Sequence, residues 1–254
     1  MEADFWHQKW ERGELGFHLS EANPLLVQHF SALGLQRGQT VLLPLCGKTR
    51  DMVWLLEQGY QVRGAELSQL AVEAFFAELG VTPEVSVCGA LTCYQAESIA
   101  IYCGDFFSLQ ADLLGTVDAV YDRAALVALP PDMRSAYTRH LRALSGHAPQ
   151  LLIAYEYDQL AADGPPFAIL PEEVSQHYAD SHQLHLLDAA FFVAGPQATI
   201  GNQPVAQMQD WRRGFQIRAA HQRCIEFSGT LAGLFFHQAQ HGADDDPAAH
   251  VRCH

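Results

Sequence analysis

The sequence predicts an α/β protein, a mostly parallel sheet with helices on both faces. Three observations predict it. Short apolar runs alternate with helical segments along most of the 254 residues. Residues 41–67 read as strand, glycine turn, helix, strand and acid: VLLPL, then Cys46-Gly47-Lys48, a helical run stopping at Gly59, and a second apolar run holding Glu66 near its end. The segments that could do chemistry each follow a strand: residues 45–48, Glu66, Asp105, Arg123 and residues 156–158. Ligands of such sheets bind outside the carboxyl ends of the strands.

The elements follow in order. Residues 4–12 set Phe5, Trp6, Lys9 and Trp10 at helical spacing, and residues 13–23 are loop-like. Residues 24–33 read as a helix that begins at a proline and ends near Gly34. After the strand–helix–strand unit, Ser68 is placed to cap a helix over 69–79 that stops at Gly80. Residues 85–103 read as a hairpin with a turn at Gly89 and a polar break at 95–98. A strand at 117–121 leads into Asp122-Arg123. Pro130-Pro131 opens a helix to about residue 145, and LLIAYEY makes a strand over 150–157. Pro171-Glu172-Glu173 opens another helix with acids in its first turn, where the helix dipole favours them. Residues 183–188 and about 206–217 are read as the last strands.

Composition bounds the function. Hydrophobic content of 49% with 17% charged residues describes a packed globular chain. A net charge of −14 argues against nucleic acid or an anionic membrane as partner, since phosphate binding needs a basic face. No run of apolar residues is long enough to span a bilayer, and the charged, aromatic start MEADFWHQKW lacks a secretory core. The six scattered cysteines then read as reduced thiols in a cytoplasmic protein. Cys88, Cys93 and Cys103 fit no common zinc spacing, so no metal is expected.

The glycine turn and the acid decide the ligand class. A carboxylate closing the second strand can take both hydroxyls of a ribose. The turn has one glycine where a pyrophosphate site prefers three, so the unit reads as holding a nucleoside without phosphates. That points to S-adenosylmethionine and away from a nicotinamide-dependent oxidoreductase. Arg123 lies in apolar sequence and needs a partner: either a structural mate such as Asp122 or an anionic ligand group. Trp6, Trp10 and Phe17 read either as a packed leading helix or as a lid over a flat ring. Lys48, one of only two lysines, either opens a helix or faces a cofactor carboxylate.

Together these segments resemble the bacterial thiopurine S-methyltransferase family. The resemblance rests on FWHQKW with GFH, PLCGKTRDM, GAELS, YCGDFF, YDRAALVALP and GPPF, in that order from Phe5 to Phe167. It implies a class I methyltransferase fold, with a seven-stranded sheet whose last strand is antiparallel. It implies methyl transfer from S-adenosylmethionine to the sulfur of aromatic and heterocyclic thiols. Trp10, Leu45, Glu66 and Arg123 match the cofactor-binding positions, and Asp105 and Phe106 fall where the family contacts adenosine. Phe17 falls where it meets substrate, with Arg123 a second candidate there.

By this reading residues 1–218 are one catalytic domain, with a lid segment over 1–34. Residues 219–254 are a dispensable extension whose histidines have no metal-ligand register. Arg50 departs from the family pattern and is expected on an exposed side of its helix. The chain is expected to act as a monomer on a small thiol. Transfer requires the nucleophile about 3–3.5 Å from the methyl carbon, in line with the leaving sulfur. An aromatic thiol is acidic enough to present a thiolate near neutral pH, so no general base is assigned. The alternatives are methylation of selenium or tellurium compounds and a non-catalytic adenosylmethionine-binding module.

Overall fold

A computed structural model describes residues 3–14, 18–191, 199–200, 203–204 and 221–229. The chain opens with α1 (Ala3–Glu11) and α2 (Pro24–His29), the latter capped by the Asn23 side chain. Then come β1 (Thr40–Leu43), α3 (Arg50–Glu57), β2 (Gln61–Glu66) and α4 (Gln69–Leu79). A meander follows: β3 (Glu84–Cys88), β4 (Leu91–Ala96) and β5 (Ile99–Cys103). After it come α5 (Ala111–Leu114), β6 (Ala119–Arg123), α6 (Pro131–Ser145), β7 (Gln150–Glu156) and α7 (Pro171–Tyr178). The last described elements are β8 (His182–Phe191), the two-residue partners β9 (Thr199–Ile200) and β10 (Gln203–Pro204), and β11 (His221–Gly229).

The main sheet has nine strands in the order β3-β4-β5-β2-β1-β6-β7-β11-β8. The seven strands from β5 to β8 form the expected class I methyltransferase sheet. β5, β2, β1, β6 and β7 run parallel, and β11 is antiparallel to both its neighbours. The other two strands, β3 and β4, form a hairpin on the β5 edge.

Two differences from the sequence reading have local causes. The polar break at 95–98 holds the end of β4 and a tight turn at 97–98, so residues 84–103 make three strands instead of a two-stranded hairpin. The domain boundary at 218 is corrected: residues 221–229 lie inside the sheet, bonded to β7 along Gln150–Glu156 and to β8. An extension starting at 219 would take away the strand that joins them. The strand expected at 206–217 lies outside the described residues, as does everything beyond 229.

Alternation along the strands builds a core on each face. Leu42, Ala65, Val120 and Leu152 face α6 and α7, where Tyr137, Leu141, Val174 and Tyr178 are buried. Val41, Leu43, Val62 and Ile153 face α2, α3 and α4, where Leu26, Met52, Leu55 and Phe76 are buried. Helix ends use the expected caps. The Ser68 hydroxyl accepts from Ala71 N, and α4 ends on left-handed Gly80. The carboxyl ends of four adjacent parallel strands, β5, β2, β1 and β6, come together along one edge of the sheet.

Candidate active site

The edge is built from four turns. After β1 the backbone bends sharply: Leu45 has φ of 46° and Gly47 a φ of 55°. A left-handed leucine costs energy and persists where surrounding structure enforces it. Here Cys46 N donates to Ala65 O at 2.9 Å, fastening the turn to β2. Gly64 makes that contact feasible, because a Cβ there would lie 2.9 Å from Cys46 Sγ. After β6 the next strained residue appears, Ala124, with φ of 64°. Two left-handed non-glycine residues therefore follow two neighbouring strands, a signal that sequence reading missed.

Glu66 ends β2 and is only 7% exposed. Its Oε2 accepts from Gly47 N at 2.7 Å and its Oε1 from Ser68 N at 2.8 Å. Burial raises its pKa, and these amides, with that of Leu67, pull it back down. A carboxylate has about four lone-pair sites, and two are taken by Gly47 and Ser68, so the oxygens keep capacity for ribose hydroxyls. The donor set thus fits the nucleoside of S-adenosylmethionine.

Asp105 and Phe106 follow β5, whose Cys103 sits in register with Glu66. Gly104 N donates to Glu66 O at 2.8 Å, which ties this turn to β2. The Asp105 carboxylate is exposed and caps a short 3-10 turn through Phe107 N. The Phe106 side chain instead packs in the core, 5.2 Å from both the Tyr137 and His140 rings. Its carbonyl is matched with His140 Nε2 at 3.1 Å. Any contact of Phe106 with a nucleobase therefore runs through its amide.

Asp122 and Arg123 point to opposite faces of β6. Asp122 is fully buried, accepting from Tyr137 Oη at 2.8 Å and from Leu126 N at 3.1 Å. Burial pushes its pKa up to about 6 against the pull of those bonds. Asp122 is thus committed to α6 and the following turn, while Arg123, half-buried, closes the strand at the carboxyl edge of the sheet.

The N-terminal segment is attached by another buried acid. Asp51, at the start of α3, accepts from Asn23 N at 2.6 Å and from Tyr121 Oη at 3.0 Å. Trp10 is half-buried on α1, which lies against α4. Phe17 lies outside the described residues. His18, just after it, is half-buried; burial lowers its pKa first, the Lys48 charge next, with Glu78 opposing and Arg123 and Arg50 adding to the lowering.

Two expectations change. Lys48 pairs with Glu78 on α4 instead of standing open toward a ligand. Arg50 is half-buried and lines a cavity of about 190 Å³ with Ser20, Glu21, Val53, Trp54 and Glu57, so it is not on a freely exposed side. Among the described residues, no group of three or more His, Cys, Asp or Glu side chains is arranged to hold a metal ion.

Comparison with known proteins agrees with this geometry. Residues 1–210 match the family described as thiopurine S-methyltransferase (TPMT). A thiopurine S-methyltransferase of Xanthobacter autotrophicus is 53% identical over 191 residues, covering 75% of this chain and 90% of that protein. One from Gluconobacter oxydans is 48% identical over 187 residues, covering 74% and 85%. Among solved structures, a Burkholderia thailandensis 1,6-didemethyltoxoflavin-N1-methyltransferase with bound S-adenosylhomocysteine superposes with a TM-score of 0.57 at 16% identity, over 90% of this chain and 87% of that one. The magnesium protoporphyrin IX methyltransferase of Synechocystis PCC 6803 with bound S-adenosylhomocysteine gives 0.55 at 13% identity, over 90% and 98%. At such identities these two speak for the fold alone.

Proposed function

We propose, for a chain that belongs to the thiopurine S-methyltransferase family and is an S-adenosylmethionine-dependent methyltransferase, a reaction on sulfur: methylation of aromatic and heterocyclic thiols such as thiopurines. What supports it is the 53% identity over 191 residues to a thiopurine S-methyltransferase, together with the Leu45 turn, Glu66, Asp105 and Arg123 lying at or just after the ends of four adjacent parallel strands.

When bound, S-adenosylmethionine supplies an electrophilic methyl group on a sulfonium. The chain's own residues bind and orient. Glu66 accepts from the ribose hydroxyls while Gly47 and Ser68 hold its carboxylate still. Asp105 and the Phe106 amide face the nucleobase, and Trp10 and Leu45 enclose the remaining cofactor surface. The family resemblance assigns Phe17, which lies outside the described residues, to the acceptor ring. The Arg123 guanidinium favours the thiolate over the thiol and helps hold the cofactor. Burial, with the Lys48, Arg123 and Arg50 charges and against Glu78, lowers the His18 pKa and so disfavours its cationic form.

The setting proposed is the cytoplasm, with a monomeric enzyme acting on a small molecule in detoxification, apart from nucleic acid and membrane. The free thiols of Cys46, Cys88, Cys93 and Cys103 and the net charge of −14 support it. No helix among the described residues is long and apolar enough to cross a membrane. The deciding experiment measures S-adenosylhomocysteine release with thiopurines, thiophenols, selenite and tellurite. Turnover on the aromatic thiols is expected. Turnover on selenite or tellurite alone would move the acceptor to metalloids, and cofactor binding without turnover on any acceptor would favour a non-catalytic module.

A further inference from the structure

We propose that Arg134 is a positioning residue for the methyl acceptor: through Glu173 and Phe167 it fixes the loop of residues 164–168 as an apolar wall of the acceptor site. The inference rests on the thiol-methylation reading and extends it to the segment after β7.

Arg134 sits in the first turn of α6 and is only 3% exposed. A guanidinium buried to that degree needs partners. Its Nε donates to Leu129 O at 2.8 Å. Its Nη1 donates to Ala168 O at 3.4 Å and to Glu173 Oε1 and Oε2 at 2.8 and 2.9 Å. Its central carbon lies 5.4 Å from the Phe167 ring centroid. One side chain therefore joins the end of the segment that leaves Arg123, the loop after β7 and the start of α7.

The loop is tied at its other contacts too. Phe167 N donates to Val127 O at 2.6 Å, directly linking it to the turn that follows Arg123. Tyr157 Oη donates to Pro166 O at 2.6 Å, and Gln159 Oε1 accepts from Ala168 N at 2.8 Å. A Cβ on Gly164 would lie 2.5 Å from Phe167 Cδ1, so the loop closes tightly on itself. Pro165, Pro166 and Phe167 stay half-exposed. Two prolines offer no amide donors, so this surface suits a flat aromatic ring and offers nothing to a hydrated oxyanion.

Stability alone does not account for the arrangement. A buried ion pair is often no more stabilising than apolar residues of the same volume. What the planar fork supplies is a fixed relation among three segments, which an apolar side chain would leave loose.

The test uses the full chain with Arg134→Lys and Glu173→Gln. Glu173 is partly exposed and glutamine keeps one acceptor oxygen, so the second variant is the one that folds if the first does not. With saturating S-adenosylmethionine, the KM for thiophenol should rise about tenfold while S-adenosylhomocysteine affinity by calorimetry stays within twofold. Amide hydrogen exchange at Phe167 and Ala168 should quicken about tenfold while exchange in the sheet holds. Unchanged KM and unchanged loop exchange in folded Glu173→Gln would overturn the proposal. Failure of the underlying reading looks different: the unaltered protein would methylate no thiol, and the exchange measurement would still decide the role of Arg134.

Discussion

The ends of β2 and β6 each bury an acid, and the two acids are used differently. Glu66 is held by backbone amides, from the turns at the carboxyl edge of the sheet. Asp122 is held by a tyrosine hydroxyl from α6 and an amide of the next turn, on the face of β6 away from Arg123. Burial raises the pKa of both. Their partners tell them apart: amides of the ligand-edge turns leave a carboxylate available to a third party, whereas a core tyrosine spends it on packing. Burial and a perturbed pKa alone would have marked both as functional.

The largest expected effect removes the frame on which the comparison stands. Truncation after residue 218 deletes β11 and leaves β7 and β8 without the strand between them. Loss of a soluble, cooperatively melting product is expected. A truncated protein with an unchanged melting curve would show that the sheet does not need this strand.

Arg123→Lys keeps the charge and loses the planar fork. A drop of about tenfold or more in kcat/KM for an aromatic thiol is expected, with the melting temperature nearly unchanged. If the loss appeared only in melting temperature, Arg123 would join Asp122 as a structural residue.

The smallest effect belongs to Asp122→Asn. The folded pKa is about 6, above the ordinary carboxylate value of 3.8. The folded state therefore binds this proton more tightly than the unfolded chain. The stability it confers is full below the unfolded pKa and is lost as pH rises through about 6. Relative to Asp122→Asn, the native protein should lose about 1–2 kcal/mol between pH 5 and pH 7.5 in denaturant titrations. A difference independent of pH would mean that Asp122 does not titrate in this range.

Much of the ligand edge was legible because its signals are local. Glu66 closes an apolar run, Ser68 and Gly80 bracket α4, and Pro130-Pro131 opens α6. What could not be read depends on residues far apart in the chain. Asp51 meets Asn23 and Tyr121, Arg134 meets Glu173, and Lys48 meets Glu78 only after the layers pack. Gly47 announced the turn after β1, but the left-handed conformations of Leu45 and Ala124 fall on ordinary residues and leave no mark in the sequence. β11 was passed over because HQRCIEFSG mixes charges with its few apolar residues, which weakens the strand pattern.

The contrast between the two acids is tested most directly by calorimetric titration of S-adenosylhomocysteine into Glu66→Ala and Asp122→Asn proteins at neutral pH. Charge-assisted hydrogen bonds of about 1.5–3 kcal/mol predict a 10- to 100-fold loss of affinity for Glu66→Ala. Asp122→Asn should bind within twofold of the native protein. Unchanged affinity in Glu66→Ala, or an equal loss in both variants, would contradict the assignment of Glu66 to the cofactor and Asp122 to the core.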